Sequence, residues 1–148
     1  MLKASKASVF LEMAETLSQL GTCDRAQVGA IIIKDGRCIS WGYNGAPPGL
    51  PHCDENGHGW GSKLADNIEV YGCRNTIHAE ANALAFAARQ GISTDGAQMF
   101  TTVSPCLTCA KSIIAAGITD VHYLTEYRLT DAIELLDEAH IYTHHHGY

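Results

Sequence analysis

The sequence predicts an α/β domain: one sheet, mostly parallel after an opening hairpin, with helices on both faces. Three observations predict it. Apolar residues alternate along the chain between runs typical of strands and stripes typical of helices. The pair Asp35-Gly36 separates two β-rich runs near the start, as a tight hairpin turn does. The chain has 148 residues, enough for one domain with one sizeable core, and it shows neither an internal repeat nor a linker that would divide it. One domain over 1–148 is therefore expected.

The elements follow in order. Residues 5–20 carry Val9, Met13, Leu17 and Leu20 at helical spacing, with Glu12 and Glu15 off that stripe and Gly21 as a stop. Residues 28–33 form an apolar run, and 37–43 a second one across the Asp-Gly turn. Residues 44–75 are rich in Gly, Pro, Asn and Asp and have no periodicity. A structureless loop of that length is unusual in a compact domain and needs something to pin it. Residues 78–90 are Ala-rich and helical, ending at Gly91. Residues 98–103 read as a strand. Residues 106–116 read as a helix with Pro105 at its start and Gly117 at its end. A strand at 121–125, a helix at 130–140 with Thr130 as N-cap, and a short strand at 141–143 complete the series. Residues 144–148, with His144, His145 and His146, read as a solvated tail. The result is a three-layer α/β/α arrangement around a five-stranded mixed sheet.

Composition narrows the function. The formal net charge is −6, from 10 Lys+Arg against 16 Asp+Glu. No cluster of basic residues appears, so a nucleic-acid partner is not expected, whereas a small anionic substrate remains compatible. No apolar run approaches the roughly 20 residues of a membrane span, and the first ten residues lack a signal-peptide core. A cytoplasmic protein is expected, or one of the host cytoplasm if a virus encodes it. In such a reducing compartment the six cysteines suit metal binding or the core better than disulfides. Cys38 is expected in the core of its strand.

Two motifs carry the chemistry. His78-Ala79-Glu80 opens the Ala-rich helix, and Pro105-Cys106-Leu107-Thr108-Cys109 opens the next one. Cysteines three apart at a helix start place both sulfurs on one face, and the helix dipole favours their thiolate form. His78 adds a third ligand. Three protein ligands leave one position of a tetrahedral zinc ion open, as a catalytic site requires. Glu80 supplies the carboxylate needed to move protons. A lone Cys-x-x-Cys also suits a structural zinc half-site or a redox pair. The two motifs together form the His-x-Glu…Pro-Cys-x-x-Cys pattern known from zinc deaminases.

From about Cys23 to Tyr127 the chain resembles the deoxycytidylate deaminases of the cytidine-deaminase superfamily. The zinc motifs carry the resemblance together with Val28-Gly29-Ala30, Gly42-Tyr43-Asn44-Gly45, and the run from Thr76 to Ala83. The resemblance implies a cytidine-deaminase-like fold and the hydrolysis of dCMP to dUMP and ammonia. It implies Glu80 as the proton shuttle and His78, Cys106 and Cys109 as zinc ligands. It further implies that Asn44 bonds the sugar and that backbone at Ala79 and Ser104 reads the base. Phe86, Arg89 and Tyr127 would frame the sugar and phosphate. Arg89 also suits a solvated charge near a helix C-terminus, and Asn44 a turn residue.

Some relatives carry a second, structural zinc in the loop. Here its ligands would be Cys23, Cys53, Cys73 and His58, with His52 competing for the fourth place; Cys₃His is a standard zinc set. The resemblance also implies activation by dCTP and inhibition by dTTP, bound with Mg²⁺, and assembly as a homo-oligomer, specifically a hexamer. Arg25 and Gln27 together with Gly42, Tyr43, Asn44 and Gly45 are the candidate effector residues. A rival within the superfamily would act on tRNA adenosine, free cytidine or a related base. A rival of another class is a zinc-binding module without catalysis.

Overall fold

A computed structural model of the chain describes residues 3–23, 26–57, 73 and 75–147. The expectations for Arg25 and His58 lie outside the described residues.

The first helix, α1 (Lys6–Ser18), starts where Ser5 accepts a hydrogen bond from the Ser8 N–H at 3.1 Å, satisfying one of the free N–H groups of the first turn. Strands β1 (Gly29–Lys34) and β2 (Arg37–Tyr43) form the expected antiparallel hairpin. Its turn holds Asp35 at φ 52° and Gly36 at φ 74°, the two positive values that a type I′ turn demands. Then come α2 (Cys53–Asn56), α3 (Ala79–Arg89), β3 (Gln98–Val103), α4 (Leu107–Ala115), β4 (Asp120–Thr125), α5 (Asp131–Glu138) and β5 (Tyr142–His145).

The sheet order is β2-β1-β3-β4-β5. β1 runs antiparallel to both its neighbours, while β3, β4 and β5 are parallel. Helices cover both faces. Ile31, Ile33 and Phe100 pack under Leu11 and Ala14 of α1. Ile32, Met99 and Val121 point the other way, into a core closed by Ala83, Ala110, Ile113 and Leu136 of α3, α4 and α5. This alternation along β1 and β3 is why both strands read as continuous apolar runs. The predicted architecture is the one found: a five-stranded mixed sheet between two helical layers.

Four expectations change. Residues 144 and 145 are no tail. Tyr142–His145 is the edge strand β5, paired in parallel with β4, and the His146 N–H continues the ladder to the Tyr123 carbonyl at 2.8 Å. The 44–75 segment is not wholly irregular, because its Cys53–Asn56 stretch is helical. Cys38 is exposed rather than in the core, since β2 is the opposite edge strand and Cys38 lies on its exposed side. Thr130 precedes α5, but its hydroxyl makes no capping bond, because its backbone is already αR. Among the described residues no helix is long and apolar enough to cross a membrane.

Candidate metal and catalytic site

β2 and β3 run in the same direction, both being antiparallel to β1, so their C-terminal ends share one edge of the sheet. Crevices beyond such strand ends are common binding sites in α/β folds. Two helices begin there. α3 starts after His78 and α4 after Cys106, and both cap residues have extended backbone (φ −70°, ψ 152° and φ −75°, ψ 168°). Neither side chain caps its own helix. They turn to each other instead.

His78 Nδ1 lies 3.4 Å from Cys106 Sγ and 3.5 Å from Cys109 Sγ. Zinc–sulfur and zinc–nitrogen bonds of about 2.3 and 2.1 Å at a tetrahedral angle separate the two ligands by about 3.6 Å. The three residues therefore fit a zinc ion with little movement. His78 is exposed, Cys106 half-buried and Cys109 buried, so the centre opens to solvent on one side, where a fourth ligand would approach.

The electrostatics suit a cation. The neighbouring Cys109 thiol holds the Cys106 group down at about 4, against burial and with help from His78 and the Cys109 N–H. Cys109 is raised, first by that same neighbour and then by burial. The two sulfurs thus share one proton, which a divalent cation between them would displace. Cys106 also holds His78 above its ordinary value.

Glu80, 4% exposed, lies one residue inside α3. Burial pushes its carboxyl up to about 7, opposed chiefly by a hydrogen bond from its own N–H and by His78. A group poised there can both accept and donate a proton at neutral pH.

Several contacts hold the α3 start in place. Gly45 and Ile77 exchange two backbone hydrogen bonds, Gly45 N–H to Ile77 O at 3.2 Å and Ile77 N–H to Gly45 O at 2.9 Å, which places His78. The Asn82 amide donates to the Tyr43 carbonyl at 3.1 Å, and Ser40 Oγ donates to the Ala83 carbonyl at 2.6 Å. A Cβ on Gly42 would meet Ala79 O and Ala83 N at 2.6 Å; only glycine lets β2 approach α3 this closely. On the other side, the buried Pro105 and Ser104 lead into α4. Ser104 N–H donates to the Thr125 carbonyl at 2.8 Å, and its hydroxyl accepts from the Tyr127 N–H at 2.6 Å. Tyr127 is thereby tied to the approach of α4, with the Arg128 guanidinium 5.6 Å from the centre of its ring.

Of the residues nominated from the sequence, His78, Cys106 and Cys109 come together, and Ala79 and Glu80 open α3. Ser104, which precedes α4, is tied to Tyr127; both are nominated by the family resemblance. Sequence spacing does not point to Gly42 as a packing residue, nor to Ser40 and Asn82, because contacts between distant segments leave no spacing signal. Asn44 is buried and tied down: Oδ1 accepts from the Val28 N–H at 2.7 Å, and Nδ2 donates to the Ala26 carbonyl. Phe86 and Arg89 do not join the trio. Both are exposed, and Arg89 lies nine residues beyond Glu80, roughly 13 Å along the helix axis.

The candidate effector residues meet a different environment from the one expected. The Asn44 and Gly45 N–H groups are already committed to the Val28 and Ile77 carbonyls, so they form no phosphate cradle. Gln27 lines an open groove of about 1060 Å³ that also presents Glu12, Glu15 and Glu126, a lining that repels a bare anion. In the loop, Cys53 and Cys73 bring their sulfurs to 3.7 Å, and Cys53 is also 3.5 Å from Thr76 Oγ1. Cys23 is buried and near enough to act on Cys53 electrostatically.

The model of the "cytidine and deoxycytidylate deaminase zinc-binding region" family matches residues 4–125. The chain belongs to this family. The ComE operon protein 2 of Bacillus subtilis is 40% identical over 131 residues, covering 88% of this chain and 65% of that protein. The deoxycytidylate deaminase of Enterobacteria phage T2 is 37% identical over 152 residues, covering 82% and 81%. The crystal structure of the dCMP deaminase of cyanophage S-TIM5 in complex with dCMP and dUMP superposes with a TM-score of 0.80 at 34% identity, covering 98% of this chain and 99% of that one. The chain is a deaminase of the hydrolase class, with the zinc-binding motifs of its family.

Proposed function

We propose that the protein deaminates dCMP, giving dUMP and ammonia with the consumption of one water, and so supplies pyrimidine deoxynucleotide for dTMP synthesis. The observation that carries this reading is Glu80: a structural zinc site has no use for a carboxyl group buried in the first turn of the helix that its histidine ligand opens. The likeness to dCMP-acting proteins along nearly the whole chain supports the choice of substrate.

His78, Cys106 and Cys109 would hold zinc, which supplies Lewis-acid activation of the attacking water. Glu80 receives the proton that this water loses and passes it to N3 of the cytosine ring. After attack at C4, the same carboxylate takes the remaining proton from the added hydroxyl and delivers it to the amino group, so that the C4 carbonyl forms as the C4–N bond breaks and ammonia leaves. Backbone at Ala79 and Ser104 borders the base, and Asn44 is assigned to the sugar by the family resemblance. Arg89, with Phe86 and Tyr127, is assigned to the phosphate end; its distance along α3 suits the far end of a nucleotide. A guanidinium there would pair bidentately with phosphate.

A second, structural zinc on Cys23, Cys53 and Cys73 is supported by the approach of Cys53 to Cys73, with His58 or His52 completing the set. Activation by dCTP and inhibition by dTTP, each with Mg²⁺, rest on the family resemblance alone, and the groove beside Gln27 would need the cation to admit a triphosphate. Assembly as a homo-oligomer, specifically a hexamer, rests on the family resemblance alone. The cytoplasm, a cell's own or a virus's host's, is the proposed location.

The test is ammonia release from dCMP, deoxycytidine, CMP and cytosine in parallel. Turnover of dCMP far above that of deoxycytidine is expected. Arg89→Gln should raise KM for dCMP and leave deoxycytidine unchanged; equal losses on both would remove Arg89 from the phosphate site. Absence of turnover on all four, with zinc bound, would reject dCMP.

A further inference from the structure

At the other edge of the sheet, away from α3, lies a second group of metal-ligating side chains. In β4, Asp120 and His122 alternate on the face that α1 covers further along, as the stacking of His122 on Phe100 shows (4.2 Å between ring centres, 5° between planes). In β5, His144 pairs in register with His122 and stacks on it at 4.2 Å and 12°. Because side chains alternate along a strand, His144 and His146 share this face while His145 points away. One ligand atom each from Asp120, His122 and His144 lie within 4.8 Å of one another. His144 Nε2 and Asp120 Oδ1 are already 3.2 Å apart, close to the ~3.4 Å between adjacent ligands of a tetrahedral zinc ion.

His122 supplies a second, independent observation. The residue is 8% exposed, and its Nε2 is buried without a hydrogen-bond partner among the described residues. An orphaned polar atom of this kind is costly and rare in a folded protein. Its other nitrogen, Nδ1, lies 2.9 Å from His146 Nε2. With the proton on Nδ1 and donated to His146, Nε2 presents a free lone pair. That is the usual arrangement of a metal-bound histidine, whose second nitrogen donates to an outer partner that fixes ring and tautomer. The centre is reachable, the side chains of His144 and Asp120 being 41% and 20% exposed.

We propose that Asp120, His122 and His144 bind a divalent transition-metal ion of the zinc class, with His146 orienting His122, at a site separate from the His78-Cys106-Cys109 centre. Two imidazoles and one carboxylate make a borderline donor set that such ions prefer over calcium or magnesium. The site has no thiolate, so its ion exchanges more readily than one held by two cysteines.

The experiment titrates Zn²⁺ calorimetrically into holoenzyme whose tight sites are already filled with zinc, for the wild type and the Asp120→Asn, His144→Ala and His146→Ala variants. Turnover of dCMP, unchanged in all three, shows that they are folded. The wild type is expected to take up one further equivalent. Asp120→Asn and His144→Ala should weaken that uptake at least tenfold, and His146→Ala by about 10- to 100-fold without removing the site. Asp120 lies outside the 144–146 histidine run, so it separates a built site from adhesion of zinc to adjacent histidines. Uptake that Asp120→Asn leaves unchanged would overturn the proposal, as would no uptake by the wild type.

Discussion

A carboxyl group does not enter a protein interior without help, and Glu80 receives it from its own N–H and from the neighbouring His78. Burial, only partly offset by these contacts, pushes its carboxyl up to about 7. Glu80→Gln keeps size and shape but cannot shuttle the proton. We expect zinc content to stay at the wild-type level while kcat falls about 10²- to 10⁴-fold; parallel metal analysis and dCMP turnover check both, and substantial activity in the variant would remove Glu80 from its role. The spacing in His78-Ala79-Glu80 and Cys106-Leu107-Thr108-Cys109 made these residues legible in the sequence, because each motif is local and opens a helix. Asn44 was legible as a residue but not as a contact. Its amide reaches backward to Ala26 and Val28, and no pattern in the chain announces such a link. The orphaned nitrogen of His122 was equally hidden, since its environment comes from Phe100, His144 and His146 together.

Elements were read well where periodicity was long and poorly where it was short. β5 has four residues, too few for a pattern to outweigh the usual reading of a terminal histidine run. The alternation of His144 and His146 matches that of Asp120 and His122 only once β5 is set beside β4, so it is no signal in the linear sequence. The pairing of β2 with α3 had no signal at all, although Gly42 decides it. Gly42→Ala would drive a methyl group to 2.6 Å from two backbone atoms of the first turns of α3, and backbone cannot rotate away as a side chain can. Overpacking of this kind costs about 1–3 kcal/mol. We therefore expect a lower melting temperature together with a disproportionate fall in dCMP turnover, because the displaced helix carries Glu80. A loss of stability with kcat unchanged would show that the approach of β2 does not set the site.

At the level of the whole molecule, the sheet separates two kinds of work. Its α3–α4–α5 face holds the larger core, and this core supports the helices whose tips form the metal site. Leu136 is fully buried there, and Leu136→Ala should destabilise the fold by about 2–5 kcal/mol in denaturant titration. It lies on α5, far in sequence from either motif, so zinc affinity at low denaturant should not change; a parallel loss of zinc would mean that core and site are one cooperative unit. The bridge between Gly45 and Ile77 has a consequence of a different order, in how such a chain can change over evolutionary time. The bridge closes the neck of everything between those two residues, so added or deleted chain there need not alter the register of β2 or the start of α3. The entropic penalty for lengthening such a closed segment is small, about 0.6 kcal/mol per doubling. Descendants of one ancestral gene can therefore exchange long and short versions of this segment, with or without its cysteines, while the catalytic geometry is inherited intact.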